Sequence, residues 1–337
     1  MSKQFDMNTS RRRASSRYFL VLIFVFVYFG DTPLLDAQKV SDKTQTPSQT
    51  QETDSKAAKL EVLINAAKLN ELIKADTEDL IVLEPSADLK DFAKGHIPTA
   101  RSLHWTKDMT DPKNVELYSN PDKEAFEKLM SRLGVVNSSR IVIYDRFSSR
   151  LSTRLFWSLK FYGHEKVQIL DGGIAGWQES FKLSNTSKIP DSSDFKVTKV
   201  NEGLLVQLDF IKTNLGESKM KLIDGRPADQ YSGKAPGKVF HTGKAHAKKG
   251  HVPDAVNVFW KDNFESDGRF KSIEDLKTLY TNAGIKPDQC VVTYCNEGLH
   301  AAPPWFVLTQ LLGYEDVRLY DNSMAEWANS ENEVIKD

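Results

Sequence analysis

Short apolar runs alternate with amphipathic segments along most of this chain, and the runs end at polar residues or glycine. Apolar runs of this kind predict buried strands, and apolar residues that recur every three or four positions predict helices. The predicted strands are 80–83, 140–144, 167–170, 221–223, 291–294 and 317–319, and the predicted helices are 122–133, 151–161, 273–282 and 304–312. Strands that alternate with helices are typical of a parallel sheet with helices on both faces. The pattern therefore predicts an α/β fold.

This order of elements occurs twice along the chain. The matching segments, with the first copy named first, are 95–100 with 250–255, 140–145 with 290–295, 159–164 with 309–314, and 167–177 with 317–327. A repeat this long indicates two tandem domains and not a short-period solenoid. A length of 337 residues agrees with that reading, since it leaves room for about two domains.

The residue best placed for chemistry is Cys295, which follows a predicted strand and begins a short loop that leads into a helix. A thiol at the carboxyl end of a buried strand faces loop amides and a helix N-terminus, where a thiolate is stabilised. Gly298 gives the loop access to positive φ, and Pro303-Pro304 fits the first turn of a helix. We therefore expect the loop to curl around the sulfur. Cys290 begins the same strand roughly 16 Å away, which is too far for a disulfide. We predict that Cys290 is a structural residue that packs in the protein interior.

Together these motifs resemble the two-domain rhodanese and 3-mercaptopyruvate sulfurtransferase family. The residues that carry the resemblance are Asp224-Gly-Arg226, the two Gly-His-x-Pro-x-Ala turns, Cys295 with its six-residue loop, and Asp171-Gly-Gly with Trp177. The resemblance implies two tandem rhodanese-like domains, each a parallel sheet flanked by helices. It divides the chain into an inactive domain with Asp145 at the cysteine position (57–184), a linker (185–198) and a catalytic domain (199–337).

The resemblance also implies a reaction. The cysteine would take a sulfane sulfur from a small donor, 3-mercaptopyruvate-like or thiosulfate, and pass it as a persulfide to a thiol or cyanide. A thioredoxin-like protein is a candidate acceptor, and no cofactor or metal is expected. Cys295 is the expected nucleophile, and the residues expected to bind substrate are Arg226, Asn296, Glu297, Gly298, Leu299 and His300, with Arg154, Lys248 and Lys249 as further candidates.

The loop departs from the family at Asn296 and Glu297, where thiosulfate-using members carry basic residues and mercaptopyruvate-using members carry small ones. A carboxylate beside the sulfur raises the pKa of the thiol and repels anionic donors, so thiosulfate is expected to be the less natural substrate. The loop 233–250 contains five lysines and no acid. Its lysines either offset Glu297 or form a solvated surface. His300 either donates to the persulfide or shuttles a proton, or it is a partly exposed loop end.

Two other classes of function are open on the sequence. One is a non-catalytic module that binds sulfur or docks a partner. The other is a phosphatase of the Cdc25 type, which shares this fold but needs an arginine that clamps phosphate, and no arginine occurs from Asn296 to Trp305. A formal net charge of −1 argues against a nucleic-acid partner. His241, His246 and His251 lack the close pair or second ligand type that a metal site needs, and the histidines of the two Gly-His-x-Pro turns are predicted to be structural.

The N-terminus reads as an export signal. Basic residues at 11–13 precede an apolar run, 18–29, that is too short for an untilted span of about 20 residues. We expect a signal over 1–37, cleaved near Ala37, and then a disordered spacer over 38–56 that is rich in Gln, Thr and Ser. The protein would then be periplasmic or extracellular. The alternative is an uncleaved anchor, which would be its contact with a membrane.

Overall fold

The computed structural model describes residues 62–337, except 112, 114–116, 118, 188, 240 and 241. The predicted signal over 1–37 and the predicted spacer over 38–56 lie outside the described residues. In the described part of the chain, no helix is both long enough and apolar enough to cross a membrane.

The first copy forms a five-stranded sheet in which neighbouring strands run parallel, in the order β1-β5-β4-β2-β3. Its strands are β1 (Leu63–Ile64), β2 (Leu80–Ser86), β3 (Arg101–His104), β4 (Arg140–Ile143) and β5 (Val167–Leu170). Its helices are α1 (Ala66–Lys74), α2 (Leu89–Lys94), α3 (Trp105–Asp108), α4 (Lys123–Arg132), α5 (Arg150–Phe161) and α6 (Gly173–Gln178).

The second copy repeats this topology strand for strand, in the order β6-β10-β9-β7-β8. Its strands are β6 (Leu205–Val206), β7 (Met220–Asp224), β8 (Ala255–Asn257), β9 (Cys290–Tyr294) and β10 (Val317–Tyr320). Its helices are α7 (Leu208–Asn214), α8 (Ala228–Tyr231), α9 (Ile273–Asn282), α10 (Ala302–Phe306) and α11 (Ser323–Trp327). The α/β fold with two tandem domains is therefore confirmed.

Local chemistry explains where the elements begin and end. The Asp122 side chain accepts from the N–H of Ala125, and the Ser272 hydroxyl accepts from the N–H of Asp275, so equivalent helices of the two copies carry equivalent caps. The helix predicted over 122–133 begins one residue later because Asp122 is its cap. The helix predicted over 304–312 was only partly right, since α10 ends at Phe306 and the chain continues as a π-helix, Val307–Leu311.

The two copies share one hydrophobic core through α5 and α10. Phe156 of α5 meets Phe306 of α10 edge to face, with ring centroids 4.9 Å apart, and lies 6.5 Å from the ring of Trp305. Burial of each such aromatic side chain contributes about 1.5–3 kcal/mol. Because α5 follows the loop after β4 and α10 follows the loop after β9, this packing brings those two loops face to face.

Candidate active site

The loop after β9 curls around the sulfur of Cys295, as predicted. Cys295 is 1% exposed, and its Sγ accepts from the backbone N–H of Glu297 at 3.4 Å and of His300 at 3.2 Å. The N–H of Ala301 also faces the sulfur. Parallel β-strands present their carboxyl ends at one edge of the sheet, where ligands bind, so the thiol lies where the fold places a site.

The loop amides do not by themselves make Cys295 a thiolate. Burial, with a smaller contribution from the Glu297 carboxylate, raises the pKa of the Cys295 thiol to about 11, although the N–H groups of Glu297, His300 and Ala301 act to lower it. The resting thiol is therefore protonated at neutral pH. The prediction that the whole site favours the anion is wrong for the resting state, because burial outweighs the amides.

The first residues of α11 support the loop from behind. The Ser323 hydroxyl accepts from the N–H of Cys295 at 3.0 Å and from the N–H of Gly298 at 3.1 Å. The N–H of Met324 donates to the carbonyl of Cys295, and the N–H of Ala325 donates to the carbonyl of Asn296. Sequence reasoning did not single out Ser323, although the repeat places it opposite a glycine of the first copy.

The side chain of Asn296 is held by two other side chains and does not point at the place of a sulfur donor. Its Oδ1 accepts from His246 Nε2 at 3.0 Å, and its Nδ2 donates to Gln230 Oε1 at 2.9 Å. Gly237 lies directly over this contact, where a Cβ would be 2.6 Å from Asn296 Oδ1 and 3.0 Å from Arg226 Nη1. Only glycine fits there, so the lysine-rich loop 233–250 packs tightly on the catalytic loop.

Only part of the Arg226 guanidinium is available to bind a sulfur donor. Its Nε and Nη2 lie 2.9 Å and 2.6 Å from the two carboxylate oxygens of Asp224, and Nη2 also donates to the carbonyl of Gly250 at 2.7 Å. The side chain is 1% exposed. The expectation that Arg226 binds the sulfur donor through two nitrogens is therefore wrong in this structure, because Asp224 already occupies the Nε and Nη2 face of the guanidinium. Nη1 alone points toward Gly237 and the catalytic loop.

Lys248 and Lys249 do not converge on the sulfur. Lys248 Nζ donates to the carbonyls of Ser330 and Asn332 at 2.6 and 2.8 Å, so it anchors the C-terminal segment to the loop. Lys249 is exposed. The expectation that these two lysines bind the sulfur donor is not supported, since Lys248 bonds the C-terminal segment and Lys249 faces solvent.

His300 contributes its backbone to the sulfur and its side chain to the domain interface. The ring stacks on Trp260 with centroids 4.9 Å apart, and Nε2 accepts from Arg150 Nη1 at 3.4 Å. Burial, with Arg150 and Lys261 adding positive charge, lowers the pKa of His300 to about 3. The imidazole is therefore neutral throughout the physiological range, which argues against the expected proton shuttle.

Glu297 is 3% exposed and raises the pKa of Cys295 by its charge. We expect Glu297→Gln to make the thiol easier to ionise, so that iodoacetamide alkylates Cys295 at pH 8 roughly threefold faster or more. Glu326→Gln is the matched control, because Glu326 bonds the Tyr320 hydroxyl and is not among the groups that shift Cys295. Equal rates in the wild type and Glu297→Gln would show that the carboxylate does not act on the sulfur.

Arg154 of the first copy reaches the back of the catalytic loop. Its Nη1 lies 2.6 Å from Asp321 Oδ1, and both side chains are almost fully buried. The two atoms are poorly aligned for a hydrogen bond, so the contact is chiefly ionic. Gly298, with φ 81°, packs against this pair, where a Cβ would clash with Asp321. Arg154 thus spans the domain interface, and it holds Asp321 and not, as the sequence suggested, a substrate.

Comparison with known proteins gives the family. Residues 65–180 and 208–330 each match the rhodanese-like domain. The chain belongs to the rhodanese-like family. It is similar to the sulfur carrier protein TtuD of Thermus thermophilus, with 33% identity over 74% of this chain and 87% of the relative. A protein of Saccharopolyspora erythraea described as a candidate thiosulfate sulfurtransferase is 29% identical over 75% of this chain and 89% of its own.

A solved structure of the rhodanese-like family agrees with the fold described above. SseA from Escherichia coli, one of the 3-mercaptopyruvate sulfotransferases, superposes with a TM-score of 0.69 at 25% identity. The match covers 78% of this chain and 98% of SseA. The resemblance to tandem-domain sulfurtransferases is therefore confirmed.

In the first rhodanese-like copy, Asp145 stands where the second copy has Cys295. Its Oδ1 accepts from the N–H groups of Phe147 and Ser149, and its Oδ2 accepts from those of Leu151 and Ser152, at 2.7 to 3.1 Å. A carboxylate thus occupies the amide cradle of the first copy. The same loop shape therefore accommodates an anion that begins two bonds from Cβ.

The remaining candidates of this rhodanese-like chain are structural. His96 stacks on Phe92 and His251 stacks on Tyr231, and each ring also bonds the backbone carbonyl of its stacking partner. Burial raises the pKa of the Cys290 thiol to about 11. Among the described residues, no group of three His, Cys, Asp or Glu side chains could hold a metal ion, and His241 lies outside them.

Proposed function

We propose that this sulfurtransferase of the rhodanese-like family carries a sulfane sulfur as a persulfide on Cys295. The observation that supports it best is the pair of equivalent cradles. In the first copy, the carboxylate oxygens of Asp145 lie two bonds from Cβ and take four backbone N–H groups. The outer sulfur of a cysteine persulfide also lies two bonds from Cβ and is anionic. The cradle of Cys295 therefore suits the loaded form better than the resting thiol.

The reaction balances without a cofactor. The Cys295 sulfur gives up its proton to solvent and attacks the outer sulfur of the donor, forming a disulfide-type S–S bond. The bond between that sulfur and the rest of the donor breaks, and the leaving group departs with the electron pair. A thiol or cyanide then attacks the outer sulfur, and Cys295 recovers the electron pair.

The charge around the sulfur favours a donor with a single negative charge. Glu297 is buried beside Cys295, and the guanidinium of Arg226 is largely occupied by Asp224. That carboxylate would repel a dianion such as thiosulfate more strongly than a 3-mercaptopyruvate-like donor, which brings a single carboxylate. The names of the relatives include both donor classes. We propose the monoanionic class as the better substrate.

Mass spectrometry of the protein, followed by analysis of its peptides, tests this function. After incubation with 3-mercaptopyruvate or thiosulfate, we expect a mass increase of one sulfur on the peptide that contains Cys295. The added sulfur should disappear when cyanide or a small thiol is supplied, with thiocyanate or a thiol persulfide as product. Sulfur on another peptide, or none with either donor, would contradict the proposal.

Burial of the thiol favours a second candidate, a module that binds sulfur or docks a partner without turnover. Cys295 is 1% exposed and its pKa is raised to about 11, both of which slow a nucleophile. The same experiment separates the two functions. A sulfurtransferase releases the sulfur over many cycles when the acceptor is in excess, whereas a binding module retains it or takes up none.

The N-terminal segment suggests where the protein acts. The basic residues at 11–13 and the apolar run at 18–29 support our proposal that the chain is exported. A thioredoxin-like acceptor would then have to be exported as well. Fractionation of the producing cells should find the protein outside the cytoplasm, as a shortened form if the signal is cleaved and in the membrane fraction if it is retained as an anchor.

A further inference from the structure

Helix α11 begins with a serine in an unfavourable backbone conformation. Ser323 has φ 50° and is fully buried. A non-glycine residue in the left-handed region costs about 1–2 kcal/mol. The first copy has Gly173 at the equivalent position, with φ 54°. The second copy therefore keeps the backbone conformation but not the residue that adopts it without cost.

The contacts of the hydroxyl show what the serine provides. Ser323 Oγ accepts from the N–H groups of Cys295 and Gly298 at 3.0 and 3.1 Å, and it donates to the carbonyl of Tyr320 at 2.8 Å. A buried N–H group left without an acceptor costs about 1–3 kcal/mol. Two such groups depend on this one oxygen. The first of them, the N–H of Cys295, belongs to the nucleophile itself.

The N–H groups of the loop point in two directions. Those of Cys295 and Gly298 point down to Ser323, and those of Glu297 and His300 point up to the sulfur. Fixing the first set therefore fixes the second, because neighbouring peptide planes of a tight loop cannot rotate independently. Without the hydroxyl, the N–H groups of Cys295 and Gly298 would lose their acceptor, and a peptide rotation that gave them another would take N–H groups away from the sulfur.

We propose that Ser323 is a positioning residue for sulfur transfer, whose hydroxyl holds the loop so that its amides converge on Cys295. This inference rests on the proposed function of Cys295. The residue does not touch substrate and acts through the backbone of the loop. Strain at a functional site is expected where it maintains such an arrangement.

The decisive variant is Ser323→Gly. It copies the first domain, relieves the backbone strain and removes the hydroxyl, so that a loss of activity cannot be ascribed to a worse turn. We expect kcat to fall about tenfold or more, equal to about 1.4 kcal/mol of transition-state stabilisation, with the donor KM nearly unchanged. The pH profile of Cys295 alkylation should also shift to higher pH, since fewer N–H groups stabilise the thiolate.

Two further variants separate positioning from stability. Ser323→Ala keeps the strain and loses the hydroxyl, so it should lose the same activity and also melt earlier than Ser323→Gly. Ser330→Gly is the matched control, because the Ser330 hydroxyl also bridges backbone groups, accepting from Asn332 N at 3.2 Å and donating to the Trp327 carbonyl at 2.7 Å. It should leave kcat and the alkylation profile unchanged.

The outcomes are distinct. The inference is overturned if Ser323→Gly keeps more than half of the wild-type kcat, or if its loss merely follows the fraction of unfolded protein. Comparison with Cys295→Ser separates this failure from that of the proposed function. If Cys295→Ser still transfers sulfur, the function itself is wrong; if Cys295→Ser is inactive and Ser323→Gly is fully active, only the role of Ser323 is wrong.

Discussion

Cys295→Ser should abolish sulfur transfer, and Cys290→Ser should retain at least about a third of it. A serine hydroxyl in the same cradle cannot form a persulfide, whatever its contacts with the loop amides. Cys290 lies at the opposite end of β9, half-buried, with a thiol pKa raised to about 11 and no curled loop around it. The measurement is thiocyanate production from cyanide with each of the two donor classes.

The two cysteine variants control for one another, because Cys290 begins β9, Cys295 directly follows it, and each variant replaces one sulfur by oxygen. Circular dichroism and thermal melting should show both folded. If the two variants lose activity equally while folded, Cys295 is not the sole carrier. If Cys295→Ser retains activity, the reaction does not pass through this loop.

Arg154→Met should lower the free energy of unfolding by about 3–5 kcal/mol, because it leaves the buried carboxylate of Asp321 without its cation. It should also reduce activity, since Asp321 lies directly against Gly298 of the catalytic loop. Combining it with Asp321→Asn should recover part of the stability, as the uncompensated charge is then removed. Urea denaturation of Arg154→Met and of the double variant measures the stability, and thiocyanate production measures the activity.

Arg269→Met is the matched control, since Arg269 also makes an ion pair between the domains, with Glu179 at 2.7 Å. That pair is exposed, and its loss should cost about 1 kcal/mol or less. Similar losses for Arg154→Met and Arg269→Met would show that the buried pair adds no more than an exposed one. The proposed support of the loop by Arg154 would then be withdrawn.

The sequence was informative where the determinants are local. Six of the ten strands in the described part of the chain, and the curl of the loop from Cys295, follow from periodicity and from a glycine with positive φ. The alignment of the two copies extended these local signals to the whole fold. These parts of the structure depend on residues that are close in the chain.

The failures arose where a charged side chain is already engaged by another part of the folded protein. Arg226 was expected to hold a donor, but Asp224 and the Gly250 carbonyl take two of its nitrogens. Lys248 was expected near the sulfur, but the C-terminal segment takes it. A sequence shows which side chains carry charge and not which of them are already neutralised. The degree of burial, which raises the pKa of Cys295, is also a property of the packed domains.

Equivalent residues of the two copies contact each other across the domain interface, and this pattern bears on the origin of the chain. Equivalent positions meet each other: Phe156 meets Phe306, and Arg150 meets His300. The N–H of Phe270 donates to Asp171, and the N–H of the equivalent Asn120 donates to Asp321. Such self-complementary pairing is the mark of an isologous, two-fold interface between identical subunits. The chain is built like a homodimer fused into one polypeptide, in which the first half has Asp145 where the second half has Cys295.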